Sequence, residues 1–169
     1  MLKKTVVVTA LLSAVYLPVA QASWKTIVEN DIFSGGKKAE LIGEISNTNQ
    51  SVTFDCSKDN LTVSQVEEDR NTTVAKKSAY QTLVKVDDNS PVVLNTTLVR
   101  RSPESIALVS TEKEKIMTLL QQLQAQTSGQ DFLTGDMDNK GNHLSSGSGS
   151  VSFAKKAVNK FIAACSIKL

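Results

Sequence analysis

Between residues 39 and 110 the chain alternates apolar and polar positions in short runs, and after residue 111 the spacing changes. AELIGEIS (39–46) reads as a first long strand ended by the polar turn NTNQ. In VTFDC, Val52, Phe54 and Cys56 share one face, as a period of two requires. Ser57-Lys58-Asp59-Asn60 has turn chemistry, and LTVSQVEE resumes the alternation with Leu61, Val63 and Gln65. Residues 51–67 therefore predict a hairpin. The polar stretch DRNTTVAKKSAY reads as a long connection. YQTLVKVDD, PVVLNTTLVRR and ESIALVST then predict three more strands, separated by Asp87-Asp88-Asn89-Ser90-Pro91 and by Ser102-Pro103. Upstream, Trp24 and SGGKK read as a loop or a short first element.

The period lengthens in STEKEKIMTLLQQLQAQTSG, where Ile116, Leu119, Leu120 and Leu123 recur at helical spacing. Thr111 and Glu114 have capping-box spacing and Gly129 is a suitable stop, so a helix is predicted over about 111–127. A second helix is predicted over about 153–165, with Phe153, Ala157, Phe161 and Cys165 on one face. Between them, QDFLTGDMDNKGNHLSSGSGS reads as a short strand running into a flexible Gly/Ser loop at about 136–150. Strands first and helices late predict an α+β fold: an antiparallel, β-rich, sandwich-like domain with two amphipathic packing helices. Aromatic residues are few, so Val, Ile, Leu and Ala must fill the core.

The first residues change the picture. MLKK is followed by the apolar TVVVTALLSAVYL and by the small-x-small ending Ala20-Gln21-Ala22, the layout of a secretory signal peptide over residues 1–22. Cleavage is expected between Ala22 and Ser23, leaving residues 23–169 as one globular domain. The apolar run is shorter than the roughly 20 residues of a spanning helix, and Pro18 disturbs its end. No later stretch approaches that length, so no integral membrane segment is expected after processing. The expected location is the bacterial periplasm or the exterior. The 19 basic residues include Lys3 and Lys4, so the processed chain balances its 17 acidic residues and is formally neutral. A neutral domain has no overall electrostatic reason to bind nucleic acid.

Export also bears on Cys56 and Cys165, the only cysteines. In an oxidising compartment an even count predicts a disulfide. A bridge between them closes a loop of about 110 residues, worth somewhat over 4 kcal/mol on the chain-entropy model. A zinc site needs about four ligands, and two cysteines with the lone His143 do not supply them. A nucleophilic cysteine needs a base, and His143 lies in the Gly/Ser-rich stretch.

Other chemistry is sparse. Asp136, Asp138 and Gly141 match the first, third and sixth positions of a calcium loop. Lys140 occupies a ligand position there, and Gly147 stands where the bidentate acid belongs, so an Asx-rich turn is the expected reading. The acids Glu67-Glu68-Asp69 and Asp87-Asp88 flank strands, where solvated loop ends are expected. There is no G-x-S-x-G and no phosphate-binding glycine loop. The sequons at Asn60, Asn71 and Asn95 bear only on a eukaryotic route. No catalytic residue, cofactor or metal is expected.

The order of landmarks carries a resemblance. Trp24 with Asp31 soon after, the strand cysteine in FDCSKDNLTV, the VKVDD strand, the Leu-rich helix and the closing SFAKKAVNKFIAAC resemble the periplasmic accessory proteins associated with type VI secretion. They resemble the invasion-associated locus B group more distantly. The resemblance spans most of the processed chain as scattered positions and implies a β-sandwich-type domain without catalytic residues. The chain departs from it in the GDMDNKGNHLSSGSGS stretch and in lacking an Arg in VKVDD. The expected function is an exported, non-enzymatic envelope binding or accessory protein, serving secretion, virulence or exclusion, with an envelope or secreted protein as partner. The alternative is a small periplasmic hydrolase, or an inhibitor presenting a protruding loop at 136–150.

Overall fold

A computed structural model describes residues 23–32, 35–46, 48–74, 79–126 and 131–169. The 1–22 segment, including Ala22 of the expected cleavage site, and Gly129 lie outside the described residues.

Nine strands and two helices follow in the order β1 (Trp24–Asp31), β2 (Gly36–Glu44), β3 (Gln50–Ser57), β4 (Asn60–Glu68), β5 (Ala79–Val86), β6 (Val92–Ser102), β7 (Ser105–Ser110), α1 (Lys113–Ala125), β8 (Asp131–Asp138), β9 (His143–Ser150) and α2 (Ala154–Ala164). The strands form one antiparallel sheet in the order β1-β2-β3-β4-β7-β6-β5-β8-β9. The α+β class, the 51–67 hairpin and both helices are as the periodicity predicts. β3 and β4 pair Phe54 with Val63 and Cys56 with Leu61.

Three expectations are corrected. The Trp24 region is a full eight-residue strand, not a loop or short element, and β2 starts three residues before AELIGEIS. Residues 136–150 are not a loop: they are the end of β8, a turn, and the edge strand β9. The physical reason lies in the glycines of LSSGSGS, which are small because neighbours crowd them. A Cβ on Gly149 would collide with the Glu44 carbonyl and the Phe132 ring, and one on Gly147 would sit 2.5 Å from Ile45. Thirdly, Phe153 does not belong to the buried stripe of α2. It precedes the helix at φ 67° and is 52 % exposed, and the buried positions are Ala154, Ala157, Val158 and Phe161.

The sheet curls until its two ends meet. Trp24 on β1 donates its indole N–H to the Ser150 carbonyl (2.9 Å), Ser46 N donates to Ser148 O (2.8 Å), and Ser23 Oγ donates to Ser152 O (2.7 Å). Trp24 also packs edge-on against Phe132 of β8, with ring centroids 5.3 Å apart. Gly43, opposite Trp24, leaves the indole room to lie over β2. Inside the curl, α1 and α2 cover one end. Ile116, Leu119, Leu120 and Leu123 of α1 are fully buried, each worth roughly 1.5–3 kcal/mol by area. Phe161 of α2 meets Phe54 at 6.5 Å between centroids.

The start of α1 differs from its expected capping box. Its N-cap is Glu112 and makes no side-chain cap bond. Instead the Glu112 carboxylate accepts from Asn95 N (2.7 Å), Asn95 Nδ2 (3.1 Å) and Lys115 Nζ (2.8 Å), fastening the helix entry to β6. The tertiary contact with Asn95 thus replaces the local Thr111–Glu114 device.

Candidate functional site

The Cys56–Cys165 bridge is formed, with Cα atoms 6.1 Å apart. β3 aims Cys56 at the interior beside Val52 and Phe54, and Cys165 closes the C-terminal end of α2. The helix then ends in a Schellman turn, with Ile167 N donating to Ile162 O and Ser166 left-handed at φ 53°.

The expected calcium acids do not converge. Asp138 serves its own turn, accepting from Lys140 N (2.8 Å), Asn142 N (2.9 Å) and Asn142 Nδ2 (2.8 Å). The side-chain bond from Asn142, then the backbone bonds, hold its carboxyl below the ordinary range. Asp136 lies inside the curl and is 5 % exposed. It accepts from Gln65 Nε2 (2.5 Å), Thr82 Oγ1 (2.7 Å) and Ser145 Oγ (2.5 Å). Thr134 donates to the other end of Gln65. Burial pushes the Asp136 carboxyl up, and the Ser145 and Thr82 bonds oppose that rise. This cluster was not anticipated, because Gln65 and Asp136 sit on strands that the sequence does not place face to face. Their in-phase alternation with Val63 and Thr134 was the available signal.

The paired acids are also local. Asp69 caps Asn71 N (2.6 Å) and Thr72 N (2.8 Å), and Asp87 turns the chain at φ 53° between β5 and β6. His143 is exposed at the start of β9. Among the described residues no group of three or more His, Cys, Asp or Glu side chains is placed to hold a metal ion. No described helix is long and apolar enough to cross a membrane.

What the curl leaves uncovered is its outer face. Helices fill the inside, so residues out of phase with the core turn to solvent on β5, β6, β8 and β9. Leu83 pairs with Val93 on β6 and with Gly135 on β8, and Gly135 pairs with Ser146 on β9. On β5, β8 and β9 that row forms a trough, floored by the small Gly135 and Ser146 and edged by Lys85 and Pro91. Leu133 (49 % exposed) and Val93 (38 % exposed) stand in or beside it. The trough encloses about 590 Å³. A Cβ at Gly135 would meet nothing nearer than 3.6 Å, so the floor is low because the side chain is absent, not because the backbone is crowded. Sequence reasoning missed this site. Leu133 and Leu83, apolar but on the opposite phase from Phe132 and Val84, were its signal.

Comparison with known protein families, curated proteins and solved structures returns no match.

Proposed function

We propose that this chain is an exported, non-enzymatic binding or accessory protein of the bacterial envelope, working in the periplasm or outside the cell, and that a partner protein covers the outer-face trough. The observation that carries the reading is the trough of Leu83, Pro91, Leu133 and Gly135, a largely apolar surface over the paired strands β5, β8 and β9 that no helix of the described chain covers. Exposed contiguous apolar surface of this kind marks interaction sites. The disulfide, and the absence of a membrane-length helix among the described residues, are consistent with export. The likeness of FDCSKDNLTV and SFAKKAVNKFIAAC to secretion-associated accessory proteins supports a role beside a secretion apparatus. A hydrolase would need acids converging on a cleft, whereas Asp136 is occupied by three donors and Asp69 and Asp138 by their own turns.

The test is capture from envelope extracts with wild type, Gly135→Met and Leu133→Lys, each first checked for an unchanged melting temperature. Proteins captured by wild type and lost with both variants support the reading. Identical captured sets with all three overturn it.

A further inference from the structure

A second cleft, of about 800 Å³, lies on another part of the molecule, between the β3–β4 turn, the start of α1 and the end of α2. Its apolar floor is the Cys56–Cys165 bridge with the half-buried Leu61, Met117 and Ile167, and Ser57, Asn60, Thr111 and Ser166 line it as well. Its rim is cationic. Lys58, Lys113 and Lys168 line it and are exposed, with Asp59 as the one charge of opposite sign. Some lysines elsewhere are engaged, as Lys38 is with Glu29 (2.8 Å) and Lys115 with Glu112 (2.8 Å). Among the described residues none of the three rim ammonium groups has an ion-pair or hydrogen-bond partner.

Three like charges around one opening repel one another, and an anionic group among them would relieve that repulsion. An anion alone would leave the apolar floor wet. The volume lies within the roughly 300–1,000 Å³ usual for small-molecule pockets. We propose that this cleft binds a single-chain carboxylate amphiphile, its aliphatic tail laid on Leu61, Met117, Ile167 and the disulfide, its head held among Lys58, Lys113 and Lys168. Each methylene that leaves water strengthens binding by about fourfold, while the exposed lysines make the head-group contribution fall with salt.

The experiment uses methionine methyl signals. Besides Met1 the chain has only Met117, in this cleft, and Met137, on the outer side of β8. The disulfide-bonded protein with 13C-methyl methionine is titrated with dodecanoate below its micellar concentration. The Met117 signal is expected to move saturably while Met137 stays. Dodecyl maltoside, with the same tail and a neutral head, should bind at least tenfold more weakly. So should dodecanoate to the folded triple variant Lys58→Gln, Lys113→Gln, Lys168→Gln. Any one of three results overturns the proposal: no saturable Met117 response, equal binding of the maltoside, or a response at Met137 instead. An acidic peptide that moves Met117 where dodecanoate does not would also overturn it and would make the cleft a protein contact. The trough variants lie on a different face, so this proposal and the partner reading fail separately.

Discussion

Gln65 on β4 and Asp136 on β8 are 71 residues apart, on strands with three others between them, yet their side chains bond at 2.5 Å inside the curled sheet. The contact gathers Thr82, Thr134 and Ser145 into one buried polar cluster. Asp136→Ala should remove the shortest acceptor of Gln65, Thr82 and Ser145, leaving them only longer bonds such as Gln65 to Ser145 (3.3 Å) and Thr82 to Thr96 (3.4 Å), at about 1–3 kcal/mol for each buried donor left unmet. Asp136→Asn should cost less, since its carbonyl still accepts. Urea unfolding of the two variants checks the order, and an Ala variant as stable as wild type would mean water has taken the carboxylate's place.

The same carboxylate has a pH signature. Burial raises its pKa in the folded state above the ordinary value, so the folded chain holds this proton to higher pH than the unfolded chain does. Its contribution is therefore most favourable below the unfolded pKa and is lost as pH rises through the folded one. Subtracting the stability profile of Asp136→Asn from that of wild type should leave a curve falling with pH across that window. Glu112 acts with the opposite sign. Burial pushes its carboxyl up, but the Lys115 and Asn95 bonds outweigh this and hold it low, so the difference curve, not the raw profile, is the measurement.

Breaking the bridge should cost about 2–5 kcal/mol with either Cys56→Ala or Cys165→Ala. The double variant should be little worse, because the pair acts as a unit. Loosening should be confined to the end of α2. The helix middle is held independently, by Thr26 Oγ1 donating to Ala157 O (2.6 Å) and Lys160 Nζ to Thr26 O (3.0 Å). Hydrogen exchange should rise at Cys165 and Ile167 and stay slow at Val158. Uniform loss of protection along α2 would contradict this.

Three glycines on two paired strands should respond differently to alanine. Gly149→Ala meets a backbone carbonyl and the Phe132 ring, neither free to move, and should lose about 1–3 kcal/mol or more. Gly147→Ala presses on the Ile45 side chain, which can shift, and should lose less. Gly135→Ala should fall within about 0.5 kcal/mol of wild type. Unfolding midpoints test the ranking, and a neutral Gly149→Ala would mean that β9 is not packed there.

Phe153 and Ser166 bracket α2 in left-handed conformations that cost a side-chain-bearing residue about 1–2 kcal/mol. Ser166→Gly should raise stability by up to about 1 kcal/mol. Phe153→Gly should do the same, because the ring it removes is half exposed. A destabilised Phe153→Gly would show that the ring packs more than its exposure suggests.

Elements whose apolar residues repeat with a regular period were legible from the chain alone. Val52-Phe54-Cys56 against Leu61-Val63 made the hairpin legible, and Ile116-Leu119-Leu120-Leu123 did the same for α1. The pairing of Cys56 with Cys165 followed from an even count and the expectation of export. β9 was illegible, because Gly147 and Gly149 carry no side chain to show a period, and they are glycine on account of Ile45, Glu44 and Phe132, which lie far off in the chain. The Glu112–Asn95 fastening, the Gln65–Asp136 contact and the trough at Gly135 were hidden for the same reason. Each joins residues that only the curl of the sheet brings together. Local periodicity reports which face a residue takes within its strand; which strand it then faces is decided by twist, strand order and closure, and those belong to the tertiary structure alone.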